Sequence, residues 1–303
     1  MSLKLNEWVL AARLKTIPLS ISGIAIGSFS AYYEDFFNIK IFILTVCTTI
    51  SYQILSNLAN DFGDGIRGTD LKRVGPSRAF QTGKINPNEM KKGIVIFALL
   101  SLSLTICLVF LAFRQNTYYI LLFLTTGIAA IAAAIKYTMG KNPYGYYGMG
   151  DFFVFIFFGV VSVIGSNFLY TKSIDLKLFF PAISVGLMSV GVLNLNNIRD
   201  IENDKKCGKN TIAVKLGLMN SKLYHYLLMI NSIICIVIFH FKLENSSYFL
   251  LIVNSVIIAL ISLHCYQVSK AINPKDFNAL LKPLVLKTFV YSLLISLFFF
   301  KYH

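Results

Sequence analysis

Apolar residues in this chain come in long continuous runs rather than in alternation. The runs occupy roughly residues 17–32, 41–58, 94–113, 118–135, 152–169, 178–195, 224–240, 248–265 and 284–300. A helix needs about 20 residues to cross a hydrocarbon core, so each run reads as one membrane span. Membrane strands would instead alternate over about 10 residues, and an open strand in lipid leaves backbone groups unsatisfied. The pattern predicts an all-α membrane protein, about nine transmembrane helices in one bundle.

The segments between the runs differ in kind. Those at 33–40, 114–117, 170–177 and 241–247 are short, whereas 59–93 and 199–223 are long and hold most of the polar residues. Loops that keep such groups tend to carry function. Both long loops follow runs that end in Asn-rich sequence, the second and the sixth, which hints at a duplicated four-helix unit plus a ninth helix. No linker divides the chain, so residues 1–303 are read as a single domain.

Composition agrees: 303 residues, 56% of them hydrophobic and 14% charged, with mean hydropathy +0.66, exclude a soluble domain with a hydrated surface. The net charge of +14 would suggest nucleic acid in a soluble protein, but position decides its meaning. One side of the bundle holds only Lys40, Arg114, Lys172, Lys177, Lys242 and Lys301; every other Lys and Arg falls on the other side. The positive-inside rule makes that basic side cytoplasmic, and with it the N-terminus. The expected setting is a bacterial cytoplasmic (inner) membrane, with the polar loops facing the cytoplasm. The surplus charge suits anionic membrane lipids and an anionic substrate, and no nucleic acid is needed.

Cys47, Cys107, Cys235 and Cys265 fall in apolar runs and Cys207 in a polar loop, without CxxC spacing, so all five read as core residues. The charged stretch before the first run and the lack of a small-residue cleavage pattern argue against a cleavable signal peptide.

The candidate chemistry lies in the two long loops. The first reads Asn57-Leu-Ala-Asn60-Asp61-Phe-Gly-Asp64-Gly-Ile-Arg67-Gly-Thr-Asp70. If the second helix continues through it, Asn57 and Asp61, Asn60 and Asp64, and Asp61 and Asp64 project from neighbouring positions on one face. The second loop reads Asn194-Leu-Asn196-Asn197-Ile-Arg199-Asp200-Ile-Glu202-Asn203-Asp204 and continues to Gly208-Lys209. There Asn196, Asp200 and Asp204 recur every fourth residue and predict one helical stripe. Two stripes of hard oxygen donors on the same aqueous side suit Mg²⁺, which commonly joins one or two carboxylates to a substrate phosphate. A lone Asp near a membrane interface is ordinarily a solvated helix cap; two clusters at helix ends favour metal binding. Gly63, Gly65, Gly68 and Gly208 would let the chain turn sharply near a phosphate.

Nearby cations match an anionic ligand: Lys15, Arg67, Arg73, Arg78, Lys141, Arg199 and Lys209 all belong to the basic side and suit neutralisation of a diphosphate leaving group.

These strings resemble a known family. ArgLeuLysThrIlePro at 13–18, the first loop at 57–70, GlyProSerArg at 75–78, TyrThrMetGlyLys at 137–141, ProTyrGlyTyrTyrGlyMetGlyAsp at 143–151, the second loop at 194–204 and GlyLysAsnThrIleAlaValLysLeuGly at 208–217 are similar to the UbiA superfamily of intramembrane aromatic prenyltransferases, and most closely to its menaquinone branch. The resemblance implies that Asn60, Asp61 and Asp64 match the first metal motif and Asp200 and Asp204 the second. It also implies that Tyr137 and Lys141 form a YxxxK element that contacts diphosphate. Asn57, Asn196 and Asp70 are further candidate ligands. Asp70 is the late Asp of the menaquinone-type pattern, and Gly68 stands where much of the superfamily has another Asp.

The implied reaction moves a polyprenyl group from polyprenyl diphosphate to 1,4-dihydroxy-2-naphthoate, with Mg²⁺ as cofactor. The allylic C1–O bond ionises, the ring carbon bearing the carboxylate attacks, and diphosphate and CO₂ leave. Substrate-binding residues would be Lys15, Asn60, Arg67, Arg78, Tyr137, Arg199 and Lys209. Asp61, Asp64, Asp200, Asp204 and Lys141 would be catalytic.

Other features are read more plainly. His225, His240, His264 and His303 show no ligand spacing and read as structural or interfacial. Asp151 either orients substrate or caps its helix. Trp8 and the Tyr residues at run ends read as interface anchors. The main rival of another class is an ion-coupled transporter, whose sites usually lie near the bilayer midplane. The Asp stripes at span ends argue against it. Another aromatic acceptor, such as 4-hydroxybenzoate, homogentisate or haem, is the nearer alternative.

Overall fold

The computed structural model describes residues 2–69, 74–75, 78–243 and 248–303. Among them no strand forms, and nine helices are long and apolar enough to cross a membrane. The helices are α1 (Ser2–Ala12), α2 (Ile17–Tyr33), α3 (Ile39–Ile66), α4 (Pro87–Phe113), α5 (Thr117–Lys136), α6 (Gly150–Thr171), α7 (Phe179–Arg199), α8 (Ile201–Lys206), α9 (Ile212–Lys242), α10 (Tyr248–Lys270) and α11 (Pro274–Lys301). All nine predicted spans are present.

Local sequence sets the helix starts. Asn38 Oδ1 accepts from the backbone of Lys40 and Ile41 before α3, and Asn116 caps α5 through Tyr119 N. Asn86 and Glu89 form a reciprocal capping box with Pro87 at the first position of α4. Each cap satisfies donors that a helix start leaves open.

Small residues bring the spans together. A Cβ on Gly23 or Gly27 of α2 would overlap Ser162 or Ser166 of α6, and a Cβ on Gly159 of α6 would lie 2.6 Å from the Ala182 carbonyl of α7. Lipid supplies no hydrophobic drive between helices, so close backbone approach and dispersion hold them. The segment Phe155–Gly165 of α6 has the wider π-helical winding.

The largest core cluster joins α7, α9, α10 and α11 around Met188, Met229, Ile257 and Tyr291. A second fastens α1 to α3 and α4 through Ala11, Leu55, Leu58 and Met90. A third closes the opposite end, around Ile41, Val109, Ile120 and Leu169.

Three expectations change. All five cysteines are free, but Cys47 and Cys107 are exposed rather than in the core, because the outside of a membrane bundle is itself an apolar environment. His225 and His264, read as isolated, are fully buried with Nε2 atoms 3.1 Å apart across α9 and α10. Gly63 and Gly65 stay inside α3 instead of turning the chain; Gly68 and Gly208 do adopt positive φ.

Candidate active site

Helix α3 runs unbroken past its apolar run to Ile66, so Asn60, Asp61 and Asp64 leave it on neighbouring positions, as the spacing requires. Gly63, on the same turn, permits the end of α5 to come close: a Cβ there would lie 2.7 Å from Thr138 Cβ. Thr138 Oγ1 donates to the Ala59 carbonyl at 3.0 Å. The second stripe differs from its expected form. Helix α7 stops at Arg199, Asp200 takes a non-helical conformation (φ −101°, ψ 8°), and α8 begins at Ile201. The Asp204 amide still donates to the Asp200 carbonyl at 2.8 Å, and Asn196, Asp200 and Asp204 all line one cavity.

That cavity, about 820 Å³, brings both loops together: Asn60, Asp61 and Asp64 form part of its wall beside Asp200, Asp204, Arg199 and Lys209. The four carboxylates are each less than 9% exposed. From this polar end the cavity continues between α2, α3, α4, α5 and α6 to Thr45, Leu108 and Leu169. Along α3 the distance from Asp64 back to Thr45 is about 28 Å at roughly 1.5 Å per residue, close to the thickness of a bilayer core of about 30 Å. Three of its hydroxyls are satisfied by their own helices: Thr45, Thr48 and Thr105 each donate to a carbonyl four residues earlier.

Tyr146 joins the parts. It sits in a turn stapled to the second loop by Asn210 N donating to the Tyr146 carbonyl at 2.9 Å. Its Oη donates to Asp64 Oδ1 at 2.9 Å and lies 2.6 Å from Thr69 Oγ1. The Arg67 guanidinium and the Lys209 ammonium lie 5.0 and 5.3 Å from its ring centroid, within cation–π range. Lys209 Nζ reaches Asp64 Oδ2 at 3.2 Å. Burial alone would depress the Lys209 pKa, but the Asp64 and Asp204 carboxylates outweigh it and raise the value above that of an ordinary lysine. Burial pushes the Tyr137 phenol up to about 12, against the pull of Lys209. Arg199 holds Asp200 through Nε at 2.8 Å and Nη2 at 2.5 Å, and also donates to Asn278 and Asn196.

Not every sequence candidate meets the cavity. Lys15, Arg78, Tyr137, Arg199 and Lys209 line it. Lys141 is exposed and outside its lining, as is Arg67, which donates to the Gly140 carbonyl and covers Tyr146 instead. Asn57 is buried and not itself in the lining; its amide donates to the Ala12 carbonyl at 2.8 Å and to Oγ1 of the lining residue Thr16 at 3.1 Å. Asp151 is buried at the start of α6, accepts from Tyr224 Oη at 3.0 Å and does not line the cavity. Asp70 and Arg73 lie outside the described residues.

Other lining residues escape the sequence reading, among them Arg13, Asn278 and Lys282. Arg13 lies in the motif that supplies Lys15, and its left-handed backbone (φ 47°) turns α1 into α2. Asn278 and Lys282 come from α11, where no motif marks them.

The donor set fits a hard divalent cation. Asn60 Oδ1 is buried in the wall with no hydrogen-bond partner, which for a polar atom calls for a ligand, and its neighbours are carboxylates. Among the described residues, however, no three His, Cys, Asp or Glu side chains converge closely enough to hold an ion. Two of the carboxylates are instead clasped by Lys209 and Arg199.

Known proteins share both sequence and architecture with this chain. It is 39% identical over 299 residues, 98% of its length and 95% of the relative's, to the 1,4-dihydroxy-2-naphthoate octaprenyltransferase of Haemophilus influenzae. It is 40% identical over 78% of its length to the Escherichia coli protein of that name, 76% of which is covered. A UbiA homolog from Archaeoglobus fulgidus, solved with DMAPP and Mg²⁺ bound, superposes with a TM-score of 0.67 over 96% of this chain and 99% of that one, at 14% identity. The UbiA prenyltransferase family profile matches residues 20–296, and the chain therefore belongs to that family.

Proposed function

We propose that the protein transfers a polyprenyl group from polyprenyl diphosphate to 1,4-dihydroxy-2-naphthoate, releasing diphosphate and CO₂ and forming demethylmenaquinol. The observation that carries this reading is the continuity of one cavity from four buried aspartates into a long apolar chamber. It occurs in a chain 39% identical over 98% of its length to a 1,4-dihydroxy-2-naphthoate octaprenyltransferase.

Asn60, Asp61, Asp64, Asp200 and Asp204 would hold Mg²⁺, which when bound polarises the diphosphate as a leaving group. Arg78, Arg199 and Lys209 in the wall place positive charge where the leaving oxygens develop negative charge. The prenyl tail lies in the apolar chamber, whose Phe153, Phe157 and Phe158 exclude water from the allylic C1. When the C1–O bond breaks, its electron pair leaves with diphosphate. The ring carbon bearing the carboxylate forms the new bond to C1, and the C–CO₂ bond breaks to restore aromaticity. The distribution of basic residues supports an N-terminus and an active site facing the cytoplasm, in a bacterial inner membrane.

Purified protein given polyprenyl diphosphate and dihydroxynaphthoate should release diphosphate only with Mg²⁺. Turnover that survives EDTA, or survives the Asp61→Asn and Asp204→Asn pair, would overturn the metal reading. Preference for another aromatic acid would overturn the acceptor.

A further inference from the structure

Two cations in the cavity wall occupy places that a bound metal would need to claim. Lys209 Nζ lies 3.2 and 3.4 Å from the two oxygens of Asp64, and both side chains are less than 9% exposed. Arg199 clasps both oxygens of Asp200, with side-chain exposures of 1% and 8%. The two pairs stand on different loops, and each takes one carboxylate from the group that lines the cavity. No three acidic, His or Cys side chains converge among the described residues, consistent with carboxylates already held by internal counter-ions.

We propose that Lys209 and Arg199 are exchangeable counter-cations that make metal and diphosphate binding mutually dependent. The inference rests on the Mg²⁺–diphosphate reading above. A divalent ion that binds Asp64 or Asp200 by itself must displace an ammonium or guanidinium, and a buried cation stripped of its partner is costly. Diphosphate that binds by itself places its charge beside carboxylates whose counter-ions remain engaged. When both arrive, the metal takes the carboxylates and the released cations turn to the phosphate oxygens, so every buried charge keeps a partner. The Tyr146 ring, 5.3 Å from Lys209 Nζ, is a second partner beside Asp64. Thermodynamic linkage makes the coupling equal in both directions.

The test is calorimetric titration of Mg²⁺ into the purified full-length protein in detergent, with and without saturating geranyl S-thiolodiphosphate, an analogue that resists ionisation. In the unaltered protein the analogue should tighten Mg²⁺ binding by at least about tenfold, within the usual range of coupling between sites. Lys209→Met should bind Mg²⁺ more tightly than the unaltered protein when the analogue is absent, and the tightening by the analogue should be smaller than in the unaltered protein by at least about threefold, the direct contact of metal with phosphate supplying the rest. Lys209→Arg should keep the coupling. Arg199→Met makes the same prediction independently at Asp200, and thermal melting of each variant establishes that it is folded. The proposal is overturned if both Met variants bind Mg²⁺ alone no better than the unaltered protein, or if both retain its full coupling. Failure of the unaltered protein to bind Mg²⁺ even with the analogue present would overturn the underlying reading instead, and the exchange with it.

Discussion

Tyr146 Oη donates to Asp64 Oδ1 at 2.9 Å, and the two residues come from opposite ends of a loop system that no single helix spans. The phenol orients a carboxylate of the first loop, while the Tyr146 carbonyl receives Asn210 N from the second. One residue thus ties the two loops together, its phenol holding the first and its backbone carbonyl the second. Hydrogen bonds to a buried carboxylate contribute about 1.5–3 kcal/mol, and partners that orient a metal ligand are worth roughly 10–100-fold in affinity or activity. Tyr146→Phe should therefore keep the fold but raise the Mg²⁺ concentration for half-maximal diphosphate release by at least about tenfold. An unchanged Mg²⁺ dependence would show that Asp64 needs no such orientation.

Asn57 separates two accounts of the first motif. By spacing it belongs with the ligands; in the structure its amide donates to Ala12 O and Thr16 Oγ1, and its Oδ1 accepts from Gln53 Nε2 at 3.3 Å. Gln53 Nε2 also donates to Thr16 Oγ1 at 2.9 Å. These bonds hold the left-handed turn at Arg13 that carries Arg13 and Lys15 to the cavity. A metal ligand tolerates Asn→Asp, since both supply oxygen; a donor does not. Asn57→Asp and Asn57→Ala should each raise KM for the prenyl diphosphate by about tenfold, the worth of one or two such bonds, with a smaller fall in kcat. Steady-state kinetics with the diphosphate varied would decide, and an active Asn57→Asp enzyme with normal KM would restore the ligand reading.

How far the sequence alone leads is clear from these residues. The nine spans are legible because lipid forces continuous apolar helix, and Asp61 and Asp64 are legible because α3 keeps its period through them. The break at Asp200 is hidden, since an i, i+4 pattern looks the same whether or not the helix pauses. Asn57 misleads because its partners, Ala12 and Thr16, are 45 and 41 residues away. Asn278 and Lys282 reach the cavity only because α11 packs against α2 and α7, a pairing that no local pattern encodes.

Gly63 tests whether the crossing of α3 with the end of α5 is as tight as it looks. A Cβ there would meet Thr138 at 2.7 Å from its Cβ and 2.8 Å from its carbonyl carbon, closer than side chain and backbone can move apart freely. Gly63→Ala should destabilise by about 1–3 kcal/mol, the usual cost of overpacking, and Gly63→Val by more. Thermal melting in detergent reads the loss. An Ala variant that melts with the unaltered protein would mean that Thr138 gives way.

Lys141 and Lys209 offer the sharpest contrast between motif and structure. The motif resemblance makes Lys141 a diphosphate contact, yet it is exposed and outside the cavity lining, whereas Lys209 is buried against Asp64. An exposed lysine contributes little fixed electrostatics, so Lys141→Ala should lower kcat/KM by less than about threefold. Removing one member of a buried pair leaves the other charge uncompensated, at about 3–5 kcal/mol, so Lys209→Met should lower the melting temperature markedly as well as the activity. The pH dependence follows from the sign of the shift. The folded-state pKa of Lys209 lies above its ordinary value, so the stability it contributes is complete below the unfolded pKa and is lost only as pH rises through the folded one. The difference in melting temperature between the unaltered protein and Lys209→Met should therefore be constant from pH 6 to pH 9. A difference that shrinks across that range would mean that Lys209 loses its proton there, and a large effect of Lys141→Ala would mean that its side chain reaches the diphosphate after all.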